Sequence, residues 1–102
     1  MPLIYVDDLR LKAEICGPAN GPAVVLLHAL GTNLSIWDEV VDHLPPSLRI
    51  LRFDQRGHGA SDAPQPPYAM GALIRDAERM IEHFAIKDTV VVGLSLGGMV
   101  AQ

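Results

Sequence analysis

The chain has 102 residues, 49% of them hydrophobic and 20% charged, with a formal net charge of −4. An acidic chain with no basic cluster gives no nucleic acid or anionic membrane surface as a partner, and its longest apolar run, residues 23–30, falls far short of the ~20 residues a membrane-spanning helix requires. Met1-Pro2-Leu3-Ile4 has no basic leader, and Cys16, the single cysteine, cannot form an internal disulfide, so a reduced, cytoplasmic setting is expected.

In chain order, Leu3–Val6 and Leu9–Cys16 read as two short strands around Asp7-Asp8, an antiparallel hairpin. Gly17-Pro18-Ala19-Asn20-Gly21-Pro22 is a turn cluster. Ala23–Leu27 is a continuous apolar strand, too short between such breakers for a buried helix. Asn33, Leu34 and Ser35 offer helix caps, and beyond them Trp37, Val40, Val41 and Leu44 recur at one face of a helix. Ser35 with Asp38 resembles a capping box, and Pro45-Pro46 ends the helix. Residues 48–53 return as a strand, followed by a polar, glycine-containing loop over 54–67. A second helix over about 70–84 carries Leu73, Ile74, Ala77, Met80, Ile81 and Phe84 on one stripe, and residues 88–94 form the last strand. This alternation implies an α/β fold: a hairpin start, then a mostly parallel sheet with right-handed crossovers and helices on both faces. With no repeat, low-complexity tract or linker, residues 1–102 read as part of a single domain.

The most specific signal lies at the end of that last strand. Val90-Val91-Val92-Gly93-Leu94-Ser95-Leu96-Gly97-Gly98 is an apolar strand running into Gly-x-Ser-x-Gly, with a segment able to open a helix directly after it. A sharp strand-to-helix turn forces its flanking positions to be small, because a Cβ at Gly93 or Gly97 would meet the neighbouring strand and helix. It also holds the Ser95 hydroxyl clear of the sheet as a nucleophile, with the Leu96 N–H beside it as an oxyanion donor.

Functional groups of an open parallel sheet gather at the carboxyl ends of its strands. Here those ends are His28-Ala29-Leu30-Gly31-Thr32, the run from Asp54 to Gly59, and Ser95. The second oxyanion N–H is expected from the loop after Leu27, with Leu30 as donor and Ala29 as the second choice. His28 is expected to order that loop by hydrogen bonding rather than to act as a base, and His58 to make a structural hydrogen bond. His43 and His83 read as solvated helix residues, Trp37 as core and Cys16 as a small strand hydrophobe. The segment 54–62 is expected to be structural, Asp and Arg satisfying each other and nearby backbone. Gly57-His58-Gly59 lacks the third glycine of a dinucleotide fingerprint, no phosphate loop occurs, and no ligand-spaced His/Cys/carboxylate set is present, so neither cofactor nor metal is expected.

All four histidines precede Ser95, whereas a serine of this kind takes its acid and its histidine from later in the chain. The chain therefore reads as the first part of an enzyme, with a complementary C-terminal segment of the same protein as partner. Residues 1–102 alone are expected to be inactive for want of a general base, and poorly soluble because the strand at 90–92 would present an apolar edge.

Over essentially its whole length the chain resembles the α/β-hydrolase superfamily, through its opening hairpin, Leu27-His28-Ala29-Leu30-Gly31, the segment 54–62, and Gly93-Leu94-Ser95-Leu96-Gly97-Gly98. Within it, residues 30–38 and 93–102 are similar to motifs of the 3-oxoadipate enol-lactonases of the β-ketoadipate pathway of aromatic-compound degradation. That resemblance implies an N-terminal part of an α/β-hydrolase fold, ending after the nucleophile elbow, with the cap domain and C-terminal half absent. It also implies Ser95 attack on a small-molecule ester or lactone carbonyl, with Leu30 and Leu96 N–H groups on the oxyanion. Ala29 departs from the glycine that many relatives carry there. A generic esterase, a cofactor-free perhydrolase or haloperoxidase and a carbon–carbon-bond hydrolase share these features; a non-catalytic binding module of the same fold would not need the strained serine.

Overall fold

Every strand expected from the sequence forms. The computed structural model describes residues 3–6, 9–59, 61, 70–94 and 96–101; the Asp7-Asp8 turn, most of the second half of the 54–67 loop, and Ser95 lie outside them. Strands β1 (Leu3–Val6), β2 (Leu9–Cys16), β3 (Ala23–Leu27), β4 (Arg49–Phe53) and β5 (Thr89–Gly93) make a five-stranded sheet in the order β1-β2-β4-β3-β5. β1 and β2 are an antiparallel hairpin, β2 is antiparallel to β4, and β3 runs parallel to both β4 and β5, so that Val25 pairs with Leu51 on one side and Val91 on the other.

Strand periodicity then sorts side chains between two faces. Leu11, Ala13, Val25, Leu27, Leu51 and Phe53 point to one face, where they pack with Leu73, Ala77 and Met80 of α2 (Met70–His83) and Val100 of α3 (Leu96–Ala101). Leu26 and Ile50 point to the other, against Trp37 and the partly buried Val41 and Leu44. Helices thus cover both faces, the arrangement parallel strands need to bury continuous apolar runs. Each fully buried Leu or Phe side chain contributes about 1.5–3 kcal/mol relative to exposure.

The strand order has a consequence for function. After β3 the chain turns to the Trp37 face, whereas after β4 and β5, its two neighbours, it turns to the α2 and α3 face. The loops diverge above the carboxyl end of β3, which is where open α/β sheets form their crevice.

The first helix differs in detail from the expected one. It begins as a single 3-10 turn, Leu34–Trp37, and continues as α1 (Asp38–His43). Asn33 is the cap, its Oδ1 accepting the Ser35 N–H at 2.9 Å. The Asp38 carboxylate does not close a box on Ser35 but accepts from Arg52 Nη1 at 2.6 Å, and Arg52 also reaches Glu14 at 3.3 Å, tying β4 to α1 and β2. So short a helix offers the sheet only a narrow stripe, and Val40, placed on that stripe by its spacing, is 41% exposed. At the end of α2, Ile86 N–H reaches Ile81 O and Ala85 N–H reaches Glu82 O, both at 3.0 Å, with Ala85 at φ 55° where such closures commonly use glycine.

β5 has β3 on one side and no further strand among the described residues on the other. Its Val90 and Val92 are 63% and 40% exposed, an apolar face on an outer strand.

The α2 stripe also carries a charge. Asp76 is 1% exposed and lies among Leu73, Ala77 and Met80. Arg56 answers it with a two-pronged pair, Nε to Oδ2 at 2.6 Å and Nη2 to Oδ1 at 2.8 Å. Removing one partner of a buried pair costs about 3–5 kcal/mol, whereas an apolar replacement of both is often neutral. Asp76→Ala is therefore expected to lower the urea midpoint strongly, and the double change Asp76→Leu with Arg56→Met to restore much of it. Equal losses in the single and double variants would contradict this account.

Candidate active site

The site is built on the carboxyl ends of β3, β4 and β5. His28 follows β3 directly and its side chain is fully buried. Its Nε2 accepts the Gln55 backbone N–H at 2.9 Å, which places the ring proton on Nδ1. Nδ1–H then donates to Ala29 O at 2.9 Å. Gln55, directly after Asp54 at the end of β4 and itself buried, returns a second bond from its side-chain Nε2 to His28 O, also 2.9 Å. Gln55 Oε1 has no hydrogen-bond partner among the described residues. His28 is thus an ordering residue of the loop, as its position suggested. Gln55 was not singled out from the sequence; a polar side chain directly beyond an apolar strand, in a segment rich in turn residues, carries no pattern of its own.

Beyond His28 the backbone makes a tight turn. Thr32 N–H donates to Ala29 O at 3.2 Å, and Gly31 sits at φ 78°, the left-handed geometry of the third residue of a type II turn. Thr32 Oγ1 adds a bond to the same carbonyl at 2.6 Å. Leu30 occupies the second turn position, so its N–H takes no part in closing the turn, and its side chain is 69% exposed.

The strand-to-helix junction lies beside this loop. Leu27 pairs with Gly93, and Leu94 N–H donates to Leu27 O at 3.1 Å. Gly97 N–H then bonds Leu94 O at 3.0 Å, and α3 has begun at Leu96. Gly97 is pressed onto the end of β3: a Cβ there would lie 2.1 Å from Leu27 O and 2.8 Å from His28 O. Steric demand for glycine, read from the motif, is met at Gly97 by backbone that cannot move aside. Ser95 stands between Leu94 and Leu96 and lies outside the described residues.

The loop after β4 is structural. Asp54 accepts the Leu34 N–H at 2.7 Å, fastening the start of the 3-10 turn to β4. Gly59 lies against that carboxylate, where a Cβ would come within 2.2 Å of Oδ2. Ser61 Oγ accepts the Lys12 N–H at 2.8 Å and donates to Asp54 O, which stitches the loop to β2. His58 Nδ1 lies 3.0 Å from Arg56 O, and its ring packs 4.9 Å from that of His28. His43 and His83 are exposed. The partner that the structure adds is Asp76 for Arg56; a carboxylate on an apolar stripe was the signal for it.

An open cleft of about 410 Å³, bounded by Asn20, Arg49, Lys87 and Asp88, lies at the opposite, amino-terminal ends of β3 and β4. Among the described residues no group of three or more His, Cys, Asp or Glu is placed to hold a metal ion, and no helix is long and apolar enough to cross a membrane.

Burial pushes the His28 imidazole below its ordinary 6.5, and the nearby His58 adds to this. The bond to Ala29 and the charge of Asp54 oppose the shift without cancelling it. The folded state therefore holds this proton more weakly than the unfolded chain does. The resulting stability is present above about pH 6.5 and is lost as pH falls below it. The urea midpoint is expected to fall between pH 7 and pH 5, and His28→Asn, less stable overall, to show a flatter dependence. An unchanged slope in the variant would assign the acid sensitivity to other groups.

Comparison with known proteins places this architecture. Residues 22–102 match the family model for the alpha/beta hydrolase fold. The chain is 34% identical over 99 residues to 3-oxoadipate enol-lactonase 2 of Acinetobacter baylyi, covering 97% of this chain and 37% of that protein. It is 40% identical over 82 residues to the pimeloyl-[acyl-carrier protein] methyl ester esterase of Vibrio vulnificus, covering 80% of this chain and 30% of that one. The crystal structure of the enol-lactonase from Burkholderia xenovorans LB400 superposes with a TM-score of 0.92 at 38% identity, over 97% of this chain and 39% of that chain. The chain thus spans little more than a third of the length of such relatives, and with four-fifths of it inside the family model, it belongs to the alpha/beta hydrolase fold family.

Proposed function

We propose that the chain is the N-terminal part of a serine-dependent hydrolase of carboxylic esters or lactones, with a 3-oxoadipate-type enol-lactone as the leading substrate. Ser95 is the nucleophile, and the Leu96 and Leu30 N–H groups are the oxyanion donors. The observation that carries this reading is the seat of Gly97 on Leu27 O and His28 O, which packs the first turn of α3 against the end of β3, from which the Leu30 turn departs. The enol-lactonase relatives support the lactone, and the methyl ester esterase keeps a simple ester as the second substrate class.

The chemistry follows from that placement. Ser95 Oγ adds to the carbonyl carbon while a histidine from a downstream segment takes its proton. Negative charge develops on the carbonyl oxygen between the two amides; fixed donors of this kind contribute about 3–4 kcal/mol each to the transition state. Collapse expels the ring oxygen, which takes the proton back from the histidine. From an enol-lactone the released enol stays tethered to the acyl group and can rearrange to a ketone. Water then repeats the addition and frees Ser95 and the carboxylic acid.

The exposed apolar face of β5 supports a downstream segment as its cover, and that segment would also supply the triad acid and histidine. In this reading residues 1–102 are one piece of a single domain, work in the cytoplasm without cofactor or metal, and turn over nothing alone.

A fluorophosphonate probe followed by intact-mass measurement tests the proposal on the full-length polypeptide. One adduct per chain at Ser95, with ester or enol-lactone hydrolysis falling on the order of 10⁶-fold in Ser95→Ala, is the expected result. A protein that takes no adduct and hydrolyses neither class overturns it.

A further inference from the structure

We infer that Gln55 is a positioning residue for the oxyanion loop, holding His28 by its ring and by its carbonyl so that the Leu30 amide keeps its orientation beside the strand-to-helix junction. The inference rests on the hydrolase reading above and adds to it a residue that touches neither substrate nor nucleophile.

The two bonds act on different parts of His28. Gln55 N–H fixes the imidazole through Nε2, and Gln55 Nε2–H fixes the peptide that leads into the turn through His28 O, both at 2.9 Å. A peptide plane cannot rotate at one end alone. Holding His28 O therefore sets the direction of the Ala29 N–H in the same plane, and the Ala29 O–Thr32 N turn carries that setting forward to Leu30. The same carbonyl faces α3, since a Cβ on Gly97 would stand 2.8 Å from it. His28 O thus lies between the Gln55 amide on the β4 side and the first turn of α3 on the β5 side.

The amide of Gln55 has only one workable orientation. Turning it over would set Oε1 against His28 O, two acceptors with no proton between them. In the observed orientation Oε1 is left without a partner among the described residues, although Gln55 is only 1% exposed. An apolar side chain of similar size would leave no such atom. The useful half of this side chain is its donor, and the donor serves His28 O.

Two variants of the full-length polypeptide test the role. Gln55→Leu keeps the backbone N–H to the ring and removes only the donor to the carbonyl. Its kcat on an ester substrate is expected to fall about 10- to 100-fold with KM changed less than about threefold, as misplacement of a transition-state donor predicts. Gln55→Glu has nearly the same shape, and only its protonated form can donate to His28 O. Its kcat relative to wild type is expected to decline as pH rises from 5 to 9, a dependence that Gln55→Leu lacks. Among the described residues, His28 is hydrogen-bonded to Gln55, His58 packs on His28, and Asp54 and Arg56 are chain neighbours; none of them is altered in either variant.

Thermal melting accompanies both. An active wild type with kcat unchanged in Gln55→Leu, or with the loss carried by KM, overturns the inference alone. Loss of the folded state in both variants assigns Gln55 to packing and overturns it as well. A wild-type protein that neither reacts at Ser95 nor hydrolyses an ester overturns the hydrolase reading and this inference together.

Discussion

His28 directly follows β3 with no solvent around its side chain, and its Nε2 must accept while its Nδ1 donates. Only the neutral ring with the proton on Nδ1 satisfies both. That constraint fastens three strand ends to one another: β3 carries the ring, β4 supplies Gln55, and β5 lies against the same backbone through Leu94 N–H and Gly97. A charged imidazole would face the Gln55 N–H with a donor of its own. The central strand of the parallel part of the sheet and the loop proposed to bind an oxyanion therefore share one buried hydrogen-bond arrangement.

Around it, polar side chains tie loops, strands and the first helix together. Asp54 fastens the 3-10 turn, Ser61 fastens the β4 loop to β2, and Arg52 bridges Glu14 and Asp38. Asp54 and Ser61 lie beyond the end of β4, where backbone amides would otherwise lose their partners on burial, whereas Arg52 and Glu14 face each other across the β2–β4 ladder. The Arg56–Asp76 pair differs from these in that its carboxylate lies inside the apolar α2 stripe. It links the loop after β4 to the helix that follows it, and so orients α2 across the face that Leu51 and Phe53 present.

The strands and α2 were legible in the sequence because burial on one or both faces leaves a periodic trace. Val25, Leu27, Leu51 and Phe53 could not be polar, and Leu73, Ala77 and Met80 keep helical spacing. Departures from expectation come where several partners compete for one group. Asp38 is within reach of both Ser35 and Arg52, and the guanidinium on a neighbouring strand wins because charge on both sides strengthens the bond. Val40 kept the right spacing, yet a helix as short as α1 has room for one apolar row. Glycine at 97 was readable as a steric demand. Gln55 was not, because the bond that explains it depends on which strand lies next to β3, and that order is a property of the folded sheet.

The groups proposed to act on the carbonyl are, apart from the Ser95 hydroxyl, backbone amides. Their direction is set by a turn, a helix start and a glycine contact, all of which tolerate changes of side chain elsewhere. This explains why one segment can be 34% identical to an enol-lactonase and 40% identical to a methyl ester esterase. Under the proposed function, carbonyl attack is the shared demand, and the geometry at β3 and β5 answers to it. Choice of substrate then falls to side chains that rim the crevice. Leu30 is a candidate on the described part of the chain, because its amide is a proposed oxyanion donor while the residue is 69% exposed. In the proposed function a single residue would divide its labour, the backbone serving carbonyl attack and the side chain free to serve selection.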